Sequence, residues 1–226
     1  MPTLTADEVR NQIDAIVDGY RAARAAAGPS VVPELLTAGK LYEAWVLCDV
    51  LEKLKSREGY QPRLRQGTKV VLKSSPGPIN RAYPYFEIAR SAGAPLEVFT
   101  DVEFLTLSYD RRGMAASPQD GDFHELDIVV VPQGVVGRPR HDEVLLGVEC
   151  KNTVFAKELL RAILGVRREL SYLQEPRNTR FRKWPRPTVP ADPPSCLLVY
   201  STDVGVTRFD APGAVFGVDF IHERLP

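Results

Sequence analysis

Apolar residues at the start of the chain recur at helical intervals. Thr5 and Glu8 stand at capping-box distance, and Val9, Ile13, Ile16, Val17 and Tyr20 follow three or four positions apart until Gly28 and Pro29 stop the pattern. The spacing predicts an amphipathic helix over 5–27. A second helix is predicted from about 40 to 56, where Leu41, Tyr42, Ala44, Trp45, Val46, Leu47, Cys48, Val50, Leu51 and Leu54 leave little polar surface, so that it must be buried. Between 69 and 109 lie three extended candidates, KVVLKSS, YPYFEIA and LEVFTDVEFLTLSY, separated by proline and glycine. Residues 111–123 read as a polar loop. The strongest strand follows at 126–131, a β-branched run that predicts burial on both faces. A loop with Gly134, Gly137 and Pro139 leads to a strand at about 144–150, which could form a hairpin with the one before it. Phe155, Leu159, Ile163, Val166, Leu170 and Leu173 then mark a helix over 153–173. A proline-rich basic loop and two late strands, CLLVYST and one near AVFGVDFI, complete the pattern.

The order helix, strands, helix, strand predicts an α/β or α+β layer arrangement. A division into an N-terminal helical segment, 1–32, and a main domain, 33–226, fits the break at GPSVVP. With 226 residues, 44% of them hydrophobic and 26% charged, the composition is that of an ordinary globular chain. Such a chain buries roughly 70% of its unfolded surface without a disulfide or structural metal. Cys48, Cys150 and Cys196 are odd in number, far apart and set in apolar runs, which reads as reduced core thiols. Asp7, Glu8, Asp14 and Asp18 stand where an export signal would need bases and an apolar block, and no apolar run approaches the ~18 residues of a membrane span. The expectation is a soluble, cytoplasmic protein with no membrane partner.

The 29 basic and 29 acidic residues cancel. Any nucleic-acid or acidic-ligand reading must therefore rest on local charge. Candidate chemistry lies in Asp127, Glu149 and Lys151. Asp127 opens the buried strand as HELDIVVV. Glu149 and Lys151 close the next as GVECK, where period-two alternation puts both on one face. Lone buried carboxylates are costly, so acids bordering apolar strands need a cation, a hydrogen-bond network or an open site. Their oxygens suit a hard cation such as Mg²⁺, and a neighbouring lysine could orient or help deprotonate its water. The Glu-x-Lys triplet alone is weak, since a shuffled chain of this composition holds roughly one acid-x-Lys. The apolar strands that frame it give it weight, against the plainer reading of a surface ion pair at a strand end. A third acid, Glu43, shares a helix face with Leu47, Val50 and Leu54; Lys40, one turn earlier, is its alternative partner.

The series KLYEAWVL, ELDIVVV and GVECK, followed by an amphipathic helix, resembles the PD-(D/E)XK nuclease superfamily over roughly 40–202. The resemblance implies a restriction-endonuclease-like αβββαβ core, a mixed sheet flanked by helices, with 33–226 as the nuclease domain. It implies Mg²⁺-dependent (or Mn²⁺-dependent) phosphodiester hydrolysis in which Glu43, Asp127, Glu149 and Lys151 are catalytic. Asp127, Glu149, the Cys150 carbonyl and Glu43 would hold metal, and Lys151 would position the attacking water. Leu126 stands where the motif has proline.

Residues 151–190 carry ten bases against three acids. The core of that segment, EPRNTRFRKWPRP, interleaves Phe181 and Trp184 with bases, a pattern suited to phosphate neutralisation and base stacking. Arg177, Arg180, Arg182, Lys183 and Trp184 are thus candidate nucleic-acid contacts. The plainer alternative is a solvated basic loop whose aromatics pack on the body. His124 reads as a loop residue or one that stands behind a metal ligand, rather than as a ligand itself, because no second histidine stands at ligand spacing; His141 and His222 read as surface positions. No P-loop is present. The expected function is a DNA-cleaving nuclease of the restriction or anti-phage defence kind, acting as a homodimer or with a partner protein, with the first helix as the contact. A catalytically silent scaffold or nucleic-acid-binding subunit and an RNA-cleaving enzyme of the same fold are the rivals.

Overall fold

Thr5 caps the first helix as expected. Its hydroxyl accepts from the Glu8 amide while Glu8 returns a bond to the Thr5 amide, starting α1 (Ala6–Asp18). These coordinates come from a computed structural model that describes residues 4–20, 32, 36–67, 69–114 and 117–226. Positions 21–27 of the expected first helix lie outside the described residues. Val9, Ile13 and Val17 bury the apolar face of α1 in the cluster that also holds Leu41, Leu47 and Leu54. That face is therefore already used within the chain, and what α1 turns outward is polar.

The second helix, α2 (Ala38–Glu58), is longer than its apolar run. Thr37 caps its start, and Gly59, at φ 76°, closes it in the left-handed conformation that glycine adopts without penalty. Nine strands and three α-helices follow it. They are β1 (Gln61–Arg65), β2 (Tyr85–Ala89), β3 (Leu96–Leu105), α3 (Leu107–Arg111), β4 (Phe123–Pro132), β5 (Leu146–Lys151), α4 (Lys157–Leu170), β6 (Tyr172–Asn178), β7 (Thr188–Asp192), β8 (Cys196–Ser201), α5 (Asp210–Phe216) and β9 (Val218–His222), the ninth strand. Seven strands form one sheet in the order β1-β2-β3-β4-β5-β8-β9. The first five pair antiparallel; β8 joins β5, and β9 joins β8, in parallel. The architecture is α+β, with a mostly antiparallel sheet flanked by helices, and β4 and β5 pair as the anticipated hairpin.

The two faces of this sheet carry separate cores. Ile128, Val130, Leu146, Val148 and Leu198 pack with α2, whereas Val129, Val131, Leu197 and Val199 pack with Ile163 and Leu170 of α4. Burial of β4 on both faces follows from this double cover, and residues 128–131 are wholly inaccessible.

Several expectations need correction. KVVLKSS forms no strand; residues 70–73 run irregularly along β3, where Lys73 and Gly77 bond to Asp101. β1 was hidden by its charges, since QPRLR buries Pro62 and Leu64 alone. The proline-rich basic loop contains the β6–β7 ribbon, whose first strand is almost wholly exposed and so lacks an alternating apolar signal. AVF of AVFGVDFI belongs to α5, with the strand starting after Gly217. His141 is buried, its Nδ1 3.3 Å from the Leu170 carbonyl. Cys48 and Cys196 are buried free thiols and Cys150 is partly exposed. Among the described residues no helix is long and apolar enough to cross a membrane.

Candidate metal centre

β3 and β4 share an irregularity at one level of the sheet. Along β4, Leu126 packs on the α4 side with Val129 and Val131, while Ile128 packs on the α2 side. Alternation therefore slips by one position beside Asp127. Along β3, Phe99, Val102 and Phe104 all lie on the α4 side, so the slip there falls between 99 and 102. The pairs Thr100↔Ile128 and Val102↔Leu126 keep the register intact across both slips and leave Asp101 opposite Asp127.

Asp101 absorbs the slip in β3 with φ 52°, a left-handed conformation that aspartate tolerates better than most residues. Its surroundings hold it there. The carboxylate accepts from Lys40 Nζ and from the Lys73 amide at 3.2 Å, and its carbonyl accepts from the Gly77 amide at 3.2 Å. Only 1% of the side chain is exposed. Such strain persists only where the surroundings over-determine it, and here it lies beside a cluster of titratable groups.

β4 and β5 part at the same level. Their ladder ends at Ile128↔Val148, and the next donor, the Cys150 amide, is taken by Asp127 Oδ2 at 2.6 Å. This bond fixes the orientation of the Asp127 carboxylate. One oxygen each from Glu43, Asp101 and Asp127 lie within 4.8 Å of one another. Glu149, the other expected ligand, is not in this group; its Oε2 is 2.7 Å from Lys151 Nζ, the ion pair of the plainer alternative, although Glu149 is buried rather than on the surface. Lys40 Nζ lies 2.6 Å from Glu43 and also contacts Asp101, so the alternative pairing of Glu43 with Lys40 is present. A cation in the first turn of a helix opposes the helix dipole, and the two carboxylates hold it there.

The carboxylates are crowded. Burial pushes Glu43 up to about 7, with Asp127 and Asp101 adding to the rise and Lys40 opposing it. Burial likewise raises Asp127, against the Cys150 amide that favours its charged form. Glu125 and Glu149 are raised chiefly by burial, with Asp127 contributing to each. Burial works against the Lys151 ammonium, but the charges of Glu149 and Asp127 prevail and hold it above its ordinary value. Five acids thus share a partly buried region with few cations, and a bound divalent cation would relieve the strain on all of them. The donor set consists of hard carboxylate oxygens, which fits Mg²⁺ or Mn²⁺. His124 contributes no ligand to the group and lies 6.0 Å, ring to ring, from Phe104.

Sequence reasoning passed over Asp101. It lies inside LEVFTDVEFL, flanked by Glu97 and Glu103, so it did not read as a lone acid in an apolar strand; the cost of burying an unpaired carboxylate was the signal that applied to it.

The basic loop sits elsewhere. Glu58, at the far end of α2, has a fully buried side chain that accepts the backbone amides of Arg182, Lys183 and Trp184. Fifteen residues of helix separate Glu58 from Glu43, about 22 Å along the axis. Arg177, Arg180, Arg182 and Lys183 are exposed, but Phe181 and Trp184 lie in the core at 2% and 7% exposure. Trp184 therefore presents no free face for a base; its ring packs near Lys53 Nζ, 5.7 Å from the centroid. The packed-aromatic alternative describes this loop.

Comparison with protein-family models, curated proteins and solved structures finds no match to the chain.

Proposed function

We propose that the protein is a Mg²⁺-dependent (or Mn²⁺-dependent) phosphodiester hydrolase acting on DNA, a nuclease of the restriction or defence kind. The observation that carries this reading is the convergence of Glu43, Asp101 and Asp127 beside the Glu149–Lys151 pair, where two neighbouring strand ladders are interrupted. With β1, β2, α3 and the β6–β7 ribbon taken as additions, α2, β3, β4, β5, α4 and β8 follow in the order αβββαβ, which supports a restriction-endonuclease-like core. In this reading Asp127 and Asp101, with Glu43 from the helix, hold the cation. When bound, that cation supplies charge stabilisation on the transferring phosphoryl group and acidifies water. The Cys150 amide keeps Asp127 aimed. Lys151, held protonated by Glu149 and Asp127, acts as a charged donor that orients the attacking water or a phosphate oxygen, rather than as a free base.

One observation favours the silent-scaffold rival: Lys40 already bridges Glu43 and Asp101. Incubating the protein with plasmid DNA, single-stranded DNA and RNA, with Mg²⁺ or Mn²⁺ and with a chelator, separates the readings. Metal-dependent cleavage of DNA that Asp127→Ala and Lys151→Ala abolish supports the proposal. Equal cleavage by both variants, or no cleavage with either metal, counts against it.

A further inference from the structure

On the sheet face opposite α2, α4 carries a charge that no carboxylate among the described residues pairs with. Arg167 is 2% exposed and is the largest fully buried side chain in the described residues. Its Nε donates to the Phe216 carbonyl at 2.8 Å and one terminal nitrogen donates to Ser195 Oγ at 3.0 Å, while Nη2 has no partner. Among the described residues no carboxylate forms an ion pair with it; Cys196 favours its charge, while Arg186, a like charge already paired with Asp219 at 2.6 Å, opposes it. Burial accordingly holds the guanidinium down to about 10. Burying an unpaired cation costs several kcal/mol, and a site that retains one has a reason to attract an anion.

Arg167 borders a cavity of about 290 Å³ whose other walls are Leu164, Gly165, Arg168, Ser171, Leu173 and Phe216. Leu164, Leu173 and Phe216 make the walls predominantly apolar, and Leu173 is 49% exposed at the rim. Arg168 adds a second, exposed guanidinium. The volume is near the lower limit of about 300 Å³ for small-molecule sites, which admits a compact ligand with one charged group.

We propose that this cavity binds a small monoanion with an apolar body, a medium-chain carboxylate, with its charge toward Arg167 and Arg168 and its chain against Leu164, Leu173 and Phe216. The proposal is independent of the carboxylate cluster, which lies on the α2 side of the sheet.

The test uses the full-length protein with decanoate, decanol and acetate, followed by calorimetry and thermal melting. Decanoate is expected to bind at one saturable site and raise the melting temperature. Decanol lacks the charge and acetate lacks the chain, so each is expected to bind at least tenfold more weakly. Arg167→Met should lose tenfold or more in decanoate affinity. Because that variant also strands the Phe216 carbonyl and Ser195, Gly165→Leu serves as the second probe. A side chain added at Gly165 meets no neighbouring atom within 4 Å, so the helix tolerates it while the leucine fills the cavity. Tenfold weaker binding to Gly165→Leu, with unchanged circular dichroism, supports the assignment. Absence of decanoate binding, equal affinity for decanol, or undiminished binding to Gly165→Leu would overturn it.

Discussion

Asp101 lies directly opposite Asp127 in the antiparallel register of β3 and β4, between the pairs Thr100↔Ile128 and Val102↔Leu126. Like charges at facing positions repel and destabilise a sheet unless an opposite charge offsets them. Lys40 supplies one such charge from α2.

The φ of 52° at Asp101 separates its two roles. Asn accepts the left-handed conformation, so Asp101→Asn should fold normally yet bind divalent cations at least tenfold more weakly by calorimetry. Ala fits that backbone poorly, and Asp101→Ala should additionally lose about 1–2 kcal/mol of stability in urea denaturation. Equal stability of the two variants would mean that the backbone strain is not real.

Most of the site was legible because its residues sit at points where an apolar pattern is broken. Glu149 and Lys151 end β5, Glu43 interrupts a buried helix face, and Asp127 stands where the apolar run of β4 begins, although the strand itself starts four residues earlier, at Phe123, rather than at the expected 126. Asp101 escaped because it is one of three acids in β3, with Glu97 and Glu103, and so does not stand out as a break in an apolar run. Its importance depends on a slip in alternation that only the pairing with β4 reveals. The β6–β7 ribbon escaped for the opposite reason: it buries too little apolar surface to leave a pattern. Trp184 was misplaced because composition cannot tell a stacking platform from a core anchor, and the deciding residue, Glu58, is far away in sequence.

Glu43 sets a pH dependence opposite to that of most paired carboxylates. Its folded pKa, about 7, lies above its ordinary 4.5, so the folded protein binds more protons in between. Stability without metal should therefore be fully present at lower pH and fall as pH rises from about 4.5 to about 7. Urea denaturation across that range should show a shallower fall in Glu43→Gln, and saturating Mg²⁺ should offset the loss in the parent. A parent and variant with identical pH profiles would remove Glu43 from the crowded cluster.

Glu58 is a structural anchor. Its carboxylate accepts three backbone amides from 182–184, and Glu58→Ala would leave them without that acceptor. A loss of about 3 kcal/mol is expected in urea denaturation, with the near-isosteric Gln variant less affected. A change below about 0.5 kcal/mol, the size of an ordinary surface substitution, would show that water replaces the anchor.

The exposed bases of the loop remain available to phosphates even though Trp184 does not. If a duplex spans the roughly 22 Å from the loop to the carboxylates, replacing Arg182 and Lys183 together by Ala should reduce the slope of log affinity against log salt by about 2. Cleavage at saturating DNA should be unchanged. An unaltered slope would place the duplex away from this loop.

The central claim, that Glu43, Asp101 and Asp127 form a divalent-cation site, is tested most directly by titrating the protein with Mn²⁺ and following free Mn²⁺ by electron paramagnetic resonance. The account predicts saturable binding that Mg²⁺ displaces and that Asp127→Asn abolishes while the fold persists. Binding of the same strength in Asp127→Asn, or no binding in the parent at neutral pH, would contradict it.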